Sequence, residues 1–406
     1  MLCEVFVTHT FLAEALALAD QLSVWRRDFH RHPELAFQEH RTSTVVAQHL
    51  AQLGLEVQTG VGRTGVVGIV EGATDGPTVM LRFDMDALPV HEETGLSFAS
   101  EIAGKMHACG HDGHMAIGLG VATLLTRQTA ALAGRIKFVF QPAEEVANGA
   151  RAMIDAGVLL DPAPDVAFGL HLWSQMPLGN AVVKPGPLWA SADRIDLEIV
   201  GRGTHGAMPH QGIDAIVVAA YAITQLQSII SRSRDPLSPA VLSIGSIAGG
   251  AAFNVLAERV QMSGTLRTFD PVTRAGIIER MHTLLAGLCA AHGTSYHLEL
   301  SDYAPPVINH PAATARLRIA AEAMLGPHAV ADGPMMMVAE DMAEYLNRVP
   351  GSFFVLGAMP DDVSWAEPHH SPRFDIDERS LPLGVAILAE TAAGYLGLGA
   401  GRQGNK

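Results

Sequence analysis

The sequence predicts an α/β protein in two parts. One is a mostly parallel sheet with helices on both faces, and the other is a ferredoxin-like α+β domain inserted into it. Three observations carry this. Short apolar runs at 78–84 (T-V-M-L-R-F-D), 135–141 (R-I-K-F-V-F-Q) and 165–170 (D-V-A-F-G-L) read as buried strands, and helical stretches such as 114–127 lie between them. That alternation builds a parallel sheet with covering helices. From residue 194 the pattern changes to strictly alternating strands in the order β-α-β-β-α-β, the ferredoxin-like arrangement. The chain of 406 residues is also too long for one ordinary core. The expected division is 1–187 with 303–406 as the catalytic domain and 188–302 as an inserted lid or dimerisation domain.

In chain order, residues 12–30 carry Leu12, Leu16, Leu22 and Trp25 at helical spacing. Pro33 stops that helix and leaves H-R-H-P-E-L in a loop, where His30 and His32 read as caps or surface groups. The three buried strands end in Asp84-Met85-Asp86, in Pro142-Ala143-Glu144-Glu145 and in His171. Ligands of parallel sheets bind beyond the carboxyl ends of the strands, where these polar groups fall. In the insert, 194–200 alternates as a half-exposed strand and 212–231 is helical. Strands near 240–247 and 258–267 flank the turn Gly249-Gly250, and a helix at 272–291 and a strand at 296–300 complete the unit. Pro305-Pro306 marks the exit. A helix at 311–325, a strand at 352–356 and the loop E-P-H-H-S-P-R-F then return to the first pattern.

Composition excludes several classes of function. Apolar residues make up 48% and charged residues 17%, which describes a globular soluble protein. A formal charge of −15, from 27 basic and 42 acidic residues, argues against nucleic acid or an anionic membrane as partner. The start MLCEVFVTHTFLAEALALAD has no basic residue before Arg26 and is interrupted by Glu4, Glu14 and Asp20, so neither a signal peptide nor a membrane span is expected there. Cys3, Cys109 and Cys289 are odd in number and far apart. They form no disulfide framework, and a reducing cytoplasm is the expected compartment.

The densest chemistry lies at 106–116, M-H-A-C-G-H-D-G-H-M-A. Thiolate, imidazole and carboxylate are the usual ligands of divalent metals. Cys109 and His111 are two apart and project to one side of an extended segment, with Gly110 letting the backbone bend. Cys109, His111, Glu145, His171 and one of His369 or His370 make up two adjacent metal sites on this reading. Of the adjacent carboxylates, one ligates and the other serves as general base, since side chains diverge along an extended backbone. The plainer readings are a His-rich polar loop, a solvated Glu-Glu pair and a satisfied core histidine at 171.

Taken together, M-H-A-C-G-H-D-G-H, R-F-D-M-D-A-L-P-V, F-Q-P-A-E-E and G-L-H-L-W resemble the metal-dependent N-acyl-amino-acid amidohydrolases. That family includes hippurate hydrolase and the indole-acetyl-amino-acid hydrolases and is related to the aminoacylases and carboxypeptidase G. The likeness continues through W-R-R-D-F-H-R-H-P-E-L, G-R-G-T-H-G-A-M-P-H, F-N-V, G-T-L-R and H-S-P-R-F, nearly the whole chain. It implies Cys109, His111, Glu145, His171 and His370 as ligands of two divalent ions, zinc or manganese, with His370 chosen over His369. Glu144 is then the base that activates water. Asp86 orients a ligand from behind the site. His205, Asn254 and Arg267 contact the substrate, and His205 reaches the metals of the other subunit in a homodimer or higher oligomer. The implied substrate is a small N-acyl amino acid, cleaved to a carboxylate and a free amino acid. The alternatives are a dipeptidase or aminopeptidase of the same superfamily and an inactive metal-binding relative. The chain departs from the family at Val146-Ala147-Asn148-Gly149, where a glycine-rich run is usual, and at V-A-E-D-M near 338–342, where E-D-F is usual.

Overall fold

The computed structural model describes residues 10–360 and 366–398, apart from the side chains of Thr10 and Asp302. Cys3 and the first nine residues of the apolar start lie outside the described residues.

The eight-stranded sheet forms around strands that bury both faces. Strands Ala133–Gln141, Thr74–Asp84, Val166–Pro177 and Gly351–Met359 run parallel in that spatial order. Gly65–Glu71 pairs antiparallel with the first of these and Glu56–Val61 lies outside it; Ala181–Val182 and Val330–Ala331 extend the opposite edge. Along each central strand alternate residues divide between the faces. Val79, Leu81, Phe83, Ile136, Phe138 and Phe140 enter the main apolar core, beside helices Ala19–Arg31, His111–Thr126 and Ser380–Tyr395. Arg82, Lys137 and Gln141 belong to the other register and are nonetheless buried. Gln141 and Arg82 bond Asp341, which accepts the Ala150 N–H beneath the short helices Gly149–Asp155 and Met342–Leu346. Helices therefore cover both faces, and the second interface carries buried hydrogen bonds beside apolar side chains such as Met80, Val139 and Phe353.

Helix His111–Thr126 is buried almost throughout because small residues let it approach closely. A methyl group added at Gly118 would meet Phe83 and Phe140 at 2.8 Å, and one at Gly120 would meet Leu22 and Val385 at 2.7 Å. The run at 12–30 is two helices, Thr10–Ala17 and Ala19–Arg31, not one.

The insert has the expected connectivity: Ala192–Val200, helix Ala215–Arg232, Ala240–Gly249, Arg259–Thr268, helix Pro271–His292 and Ser295–Ala304. The strands lie in the order fourth, first, third, second, every pair antiparallel. Asp214 and Asp270 cap the two helices by accepting backbone N–H groups, and Pro271 occupies a first-turn position where its missing N–H costs nothing. Helix Ala215–Arg232 is long and apolar enough to cross a membrane. Its buried residues Val218, Ala219, Ala222, Leu226 and Ile229 pack instead into the core of this small sheet, as an amphipathic helix does. By its internal contacts the chain divides into a unit of Pro187–Val307 with Met335–Glu340 and a unit formed by the remainder.

Candidate metal centre

Two left-handed turns place the polar groups, one at the start of a helix and one after a strand. Gly110, at φ 91°, turns the chain sharply so that His111 begins the helix that follows. Cys109 and His111 are therefore brought together across a turn, where the spacing alone suggests an extended segment. The segment after Gln141 is likewise not extended. Ala143, at φ 56°, enters a single 3₁₀ turn Glu144–Val146, and Ala147, at φ 49°, leaves it. A left-handed alanine costs on the order of 1 kcal/mol, so the surroundings must hold it. Asp86 Oδ1 and Oδ2 accept the Glu144 and Glu145 N–H groups at 2.9 and 3.0 Å. Buried Glu39 accepts the Ala143 N–H at 2.9 Å. Asp86 and Glu39 clamp the turn that carries both glutamates.

The side chains converge in two groups that share Cys109. Cys109, His111 and His171 form one, and Cys109, Glu145 and His370 the other, each with its donor atoms within 4.8 Å of one another. Cys109 Sγ lies 3.5 Å from His171 Nε2, and His370 Nε2 lies 3.4 Å from Glu145 Oε2. His111 Nε2 stands 3.9 Å from Glu145 and 4.0 Å from Glu144. His111 Nδ1 donates to the Asp86 carbonyl at 2.8 Å, while Nε2 is buried with no hydrogen-bond partner among the described residues. A buried imidazole held at one nitrogen and open at the other is the usual condition of a metal ligand. The set of thiolate, three imidazoles and carboxylate suits a pair of divalent ions.

His370 and His369 separate clearly. His370 adopts φ 67° and faces Glu145. The ring of His369 packs on Trp173, its centroid 4.3 Å away, and its Nε2 donates to the Leu172 carbonyl at 3.0 Å.

The electrostatics fit the same reading. Burial alone would lower the pKa of His111, but Asp84, Asp86 and Glu145 outweigh it and hold it up at about 10. Burial, with Asp86 and Asp84 acting in the same direction, pushes the Glu145 carboxyl up to about 7 against the pull of His111. Burial and then Glu145, Glu144 and Asp84 keep the Cys109 thiol well above its ordinary range. Burial and the neighbouring His114 and His369 keep His171 well below its own. As bare groups, Cys109, Glu145 and His111 are all biased toward their protonated forms by the buried, anion-rich surroundings. A dication there favours their deprotonated, ligating forms.

Several buried polar pairings escaped the sequence reading. Asp84 accepts from His114 Nδ1 and Arg82 Nη1, each at 2.6 Å, and Arg82 Nη2 reaches Asp341 at 2.7 Å. Asp84, His111 and His114 also cluster, yet both His114 nitrogens are engaged, Nε2 accepting the Leu172 N–H at 2.9 Å. His30 is neither a cap nor a surface group. It is fully buried, with Nδ1 at 2.8 Å from Asp112 Oδ2 and Nε2 at 3.3 Å from Glu92, and Arg26 Nε reaches the same Asp112 oxygen at 3.1 Å. Burial works against its charge, but Asp112 and Glu92 raise its pKa to about 9. His32 is only partly buried and bonds the Asp28 carbonyl. The sole sequence signal was the pairing of Arg26 and His30 on one helix face.

His205, Asn254 and Arg267 belong to the inserted unit. His205 and Asn254 are exposed on adjoining loops, linked where the Gly206 N–H donates to the Asn254 carbonyl at 2.7 Å. Arg267 is half-buried on strand Arg259–Thr268.

Residues 80–394 match the model of peptidase family M20/M25/M40. The chain is 39% identical over 370 residues to N-acetylcysteine deacetylase of Bacillus subtilis, covering 90% of this chain and 94% of the relative. It is 44% identical over 287 residues to N-acyl-L-amino acid amidohydrolase of Geobacillus stearothermophilus, covering 70% and 77% respectively. Among solved structures it is similar to the Bacillus subtilis YXEP protein, described as a dinuclear metal-binding peptidase of the M20 family, with a TM-score of 0.83 and 36% identity over 94% of this chain and 99% of that one.

Proposed function

The chain belongs to peptidase family M20/M25/M40 and is a hydrolase of amide carbon–nitrogen bonds, and from that premise we propose that it cleaves N-acyl amino acids to a carboxylate and a free amino acid. The observation that carries this is the pair of donor groups sharing Cys109, with Glu144 held beside them by Asp86. Cys109, His111, Glu145, His171 and His370 hold two divalent ions, zinc or manganese. When bound, such ions polarise the substrate carbonyl and acidify a water.

Glu144 takes a proton from the water that attacks the amide carbon and returns it to the leaving nitrogen. Its reach to the reacting atoms depends on Asp86, whose two oxygens set the turn. His205, Asn254 and Arg267 bind the substrate carbonyl or carboxylate. His205 does so across a homodimer, donating a hydrogen bond to the tetrahedral oxyanion. Pairing through the inserted unit is supported by its exposed Ile216, Val217, Tyr221, Ile247 and Phe253 and by the sheet edge that Ala240–Gly249 leaves open. The buried free thiols Cys109 and Cys289 suit a reducing cytoplasm.

The test is a panel of N-acetyl, N-benzoyl and indole-acetyl amino acids and unblocked dipeptides, assayed after reloading with zinc or manganese. Preference for the blocked substrates is expected. Faster turnover of free dipeptides would move the protein to the peptidase reading. No hydrolysis at all with two ions bound would mark a metal-binding relative without activity.

A further inference from the structure

Strand Val166–Pro177 pairs with strand Thr74–Asp84 only as far as Gly169 opposite Arg82. Beyond that point three histidine side chains meet at the backbone of Leu172. Its N–H donates to His114 Nε2 at 2.9 Å, and its carbonyl accepts from His171 Nδ1 at 2.7 Å and from His369 Nε2 at 3.0 Å. These partners dictate where the protons sit. A backbone N–H only donates, so His114 Nε2 is bare and Nδ1 carries the proton given to Asp84 at 2.6 Å. A carbonyl only accepts, so the proton of neutral His171 is on Nδ1. Its Nε2 then keeps a lone pair, and that nitrogen faces Cys109 Sγ.

We propose that His114 is a positioning residue for metal binding: by holding the Leu172 backbone through its N–H it steadies the Leu172 carbonyl, which sets the tautomer and aim of His171. The inference rests on the reading of His171 as a ligand. His114, Asp84 and His171 are all buried, so the arrangement has no solvent to replace a lost partner. Outer partners of this kind typically change metal affinity by about 10–100-fold.

Two substitutions divide the functions of the His114 ring. In His114→Gln the side-chain oxygen reaches the place of Nε2 and still accepts the Leu172 N–H. In His114→Asn the shorter amide serves Asp84 and stops short of Leu172. Zinc affinity is measured by competition with a chromogenic chelator, with folding followed by circular dichroism and metal-free melting. His114→Gln is expected to bind within about threefold of the parent, and His114→Asn roughly 10–100-fold more weakly. The reverse order, or an Asn variant that binds like the parent, overturns the proposal. So does a Gln variant that fails to fold. If only the Asn variant fails to fold, the Gln affinity decides alone, and a loss of about tenfold or more overturns the proposal. His171→Ala keeps the two readings apart. Undiminished zinc binding there defeats the ligand assignment itself, whereas weakened binding there with a normal His114→Asn defeats only the role of His114.

Discussion

Gly149→Ala, a single added methyl group, is expected to disable the enzyme from outside the ligand set. Gly149 does not have a left-handed φ, so backbone conformation leaves room for alanine and only space forbids it. A Cβ there would lie 1.6 Å from the Pro142 carbonyl oxygen and 2.9 Å from Gln141 Nε2. The two backbones must part by roughly 1.5 Å before the contact is tolerable. Neither yields easily. Gln141 is tied to Arg82 and Asp341, and the Gly149 N–H donates to the Ala143 carbonyl at 3.1 Å. The displacement therefore falls on 143–146, the turn carrying Glu144 and Glu145. Misplacement by about 1 Å costs catalysis on the order of 10²-fold, so kcat should fall by at least ~10²-fold. The assay is kcat and KM on an N-acetyl amino acid, beside elemental analysis and melting of the loaded and metal-free protein. Activity within about threefold of the parent, with both ions retained, would refute the claim that this turn is rigidly positioned.

Glu144→Gln is expected to retain metal while turnover falls by ~10²–10⁴-fold, whereas Glu145→Gln loses metal; elemental analysis showing the opposite pattern would exchange the two roles. Cys109→Ala, which removes the donor shared by both groups, should lower the content of both ions together. His30 governs a pH effect on stability. Its pKa is raised from 6.5 to about 9 in the folded chain, so its contribution is complete below 6.5 and is lost as pH rises through 9. The shift corresponds to about 3 kcal/mol. Urea unfolding between pH 6 and pH 10 should show His30→Gln converging on the parent at the alkaline end, and a constant gap between them would remove the charge argument. Finally, Glu144→Ala and His205→Ala chains, each inactive alone, should recover roughly a quarter of parental activity when refolded together, as random twofold pairing requires. Confirmed mixed dimers without recovery would take His205 out of the partner's site.

Period and punctuation were enough to read the architecture. Buried strands and the alternating strands of the insert are local patterns, because burial on two faces or one is written directly into the order of side chains. The elements left unread include the hairpin Glu56–Val61 with Gly65–Glu71, the short helices Gly149–Asp155 and Met342–Leu346, helix His40–Gln52 and the closing helix Ser380–Tyr395. The last is almost wholly buried and so lacks the polar stripe that betrays an amphipathic helix.

The candidate donors were likewise legible as residue types, although His171 lies inside strand Val166–Pro177 and Cys109, His111 and His370 lie in turns or at a helix start instead of at strand ends. What the sequence by itself determined is therefore the fold class and the chemical types of the candidate groups. Their geometry depended on the tertiary structure. The left-handed turns at Gly110 and Ala143 replace the extended segments that spacing suggested, and the one at Ala143 is held because Asp86 and Glu39, far off in sequence, accept the N–H groups of 143–145. The same holds for His30 with Asp112 and for the three histidines on the Leu172 backbone. A buried polar group must be paired, and its partner is chosen by which strands and helices the packed core brings within hydrogen-bond reach, a distance that no interval along the chain encodes.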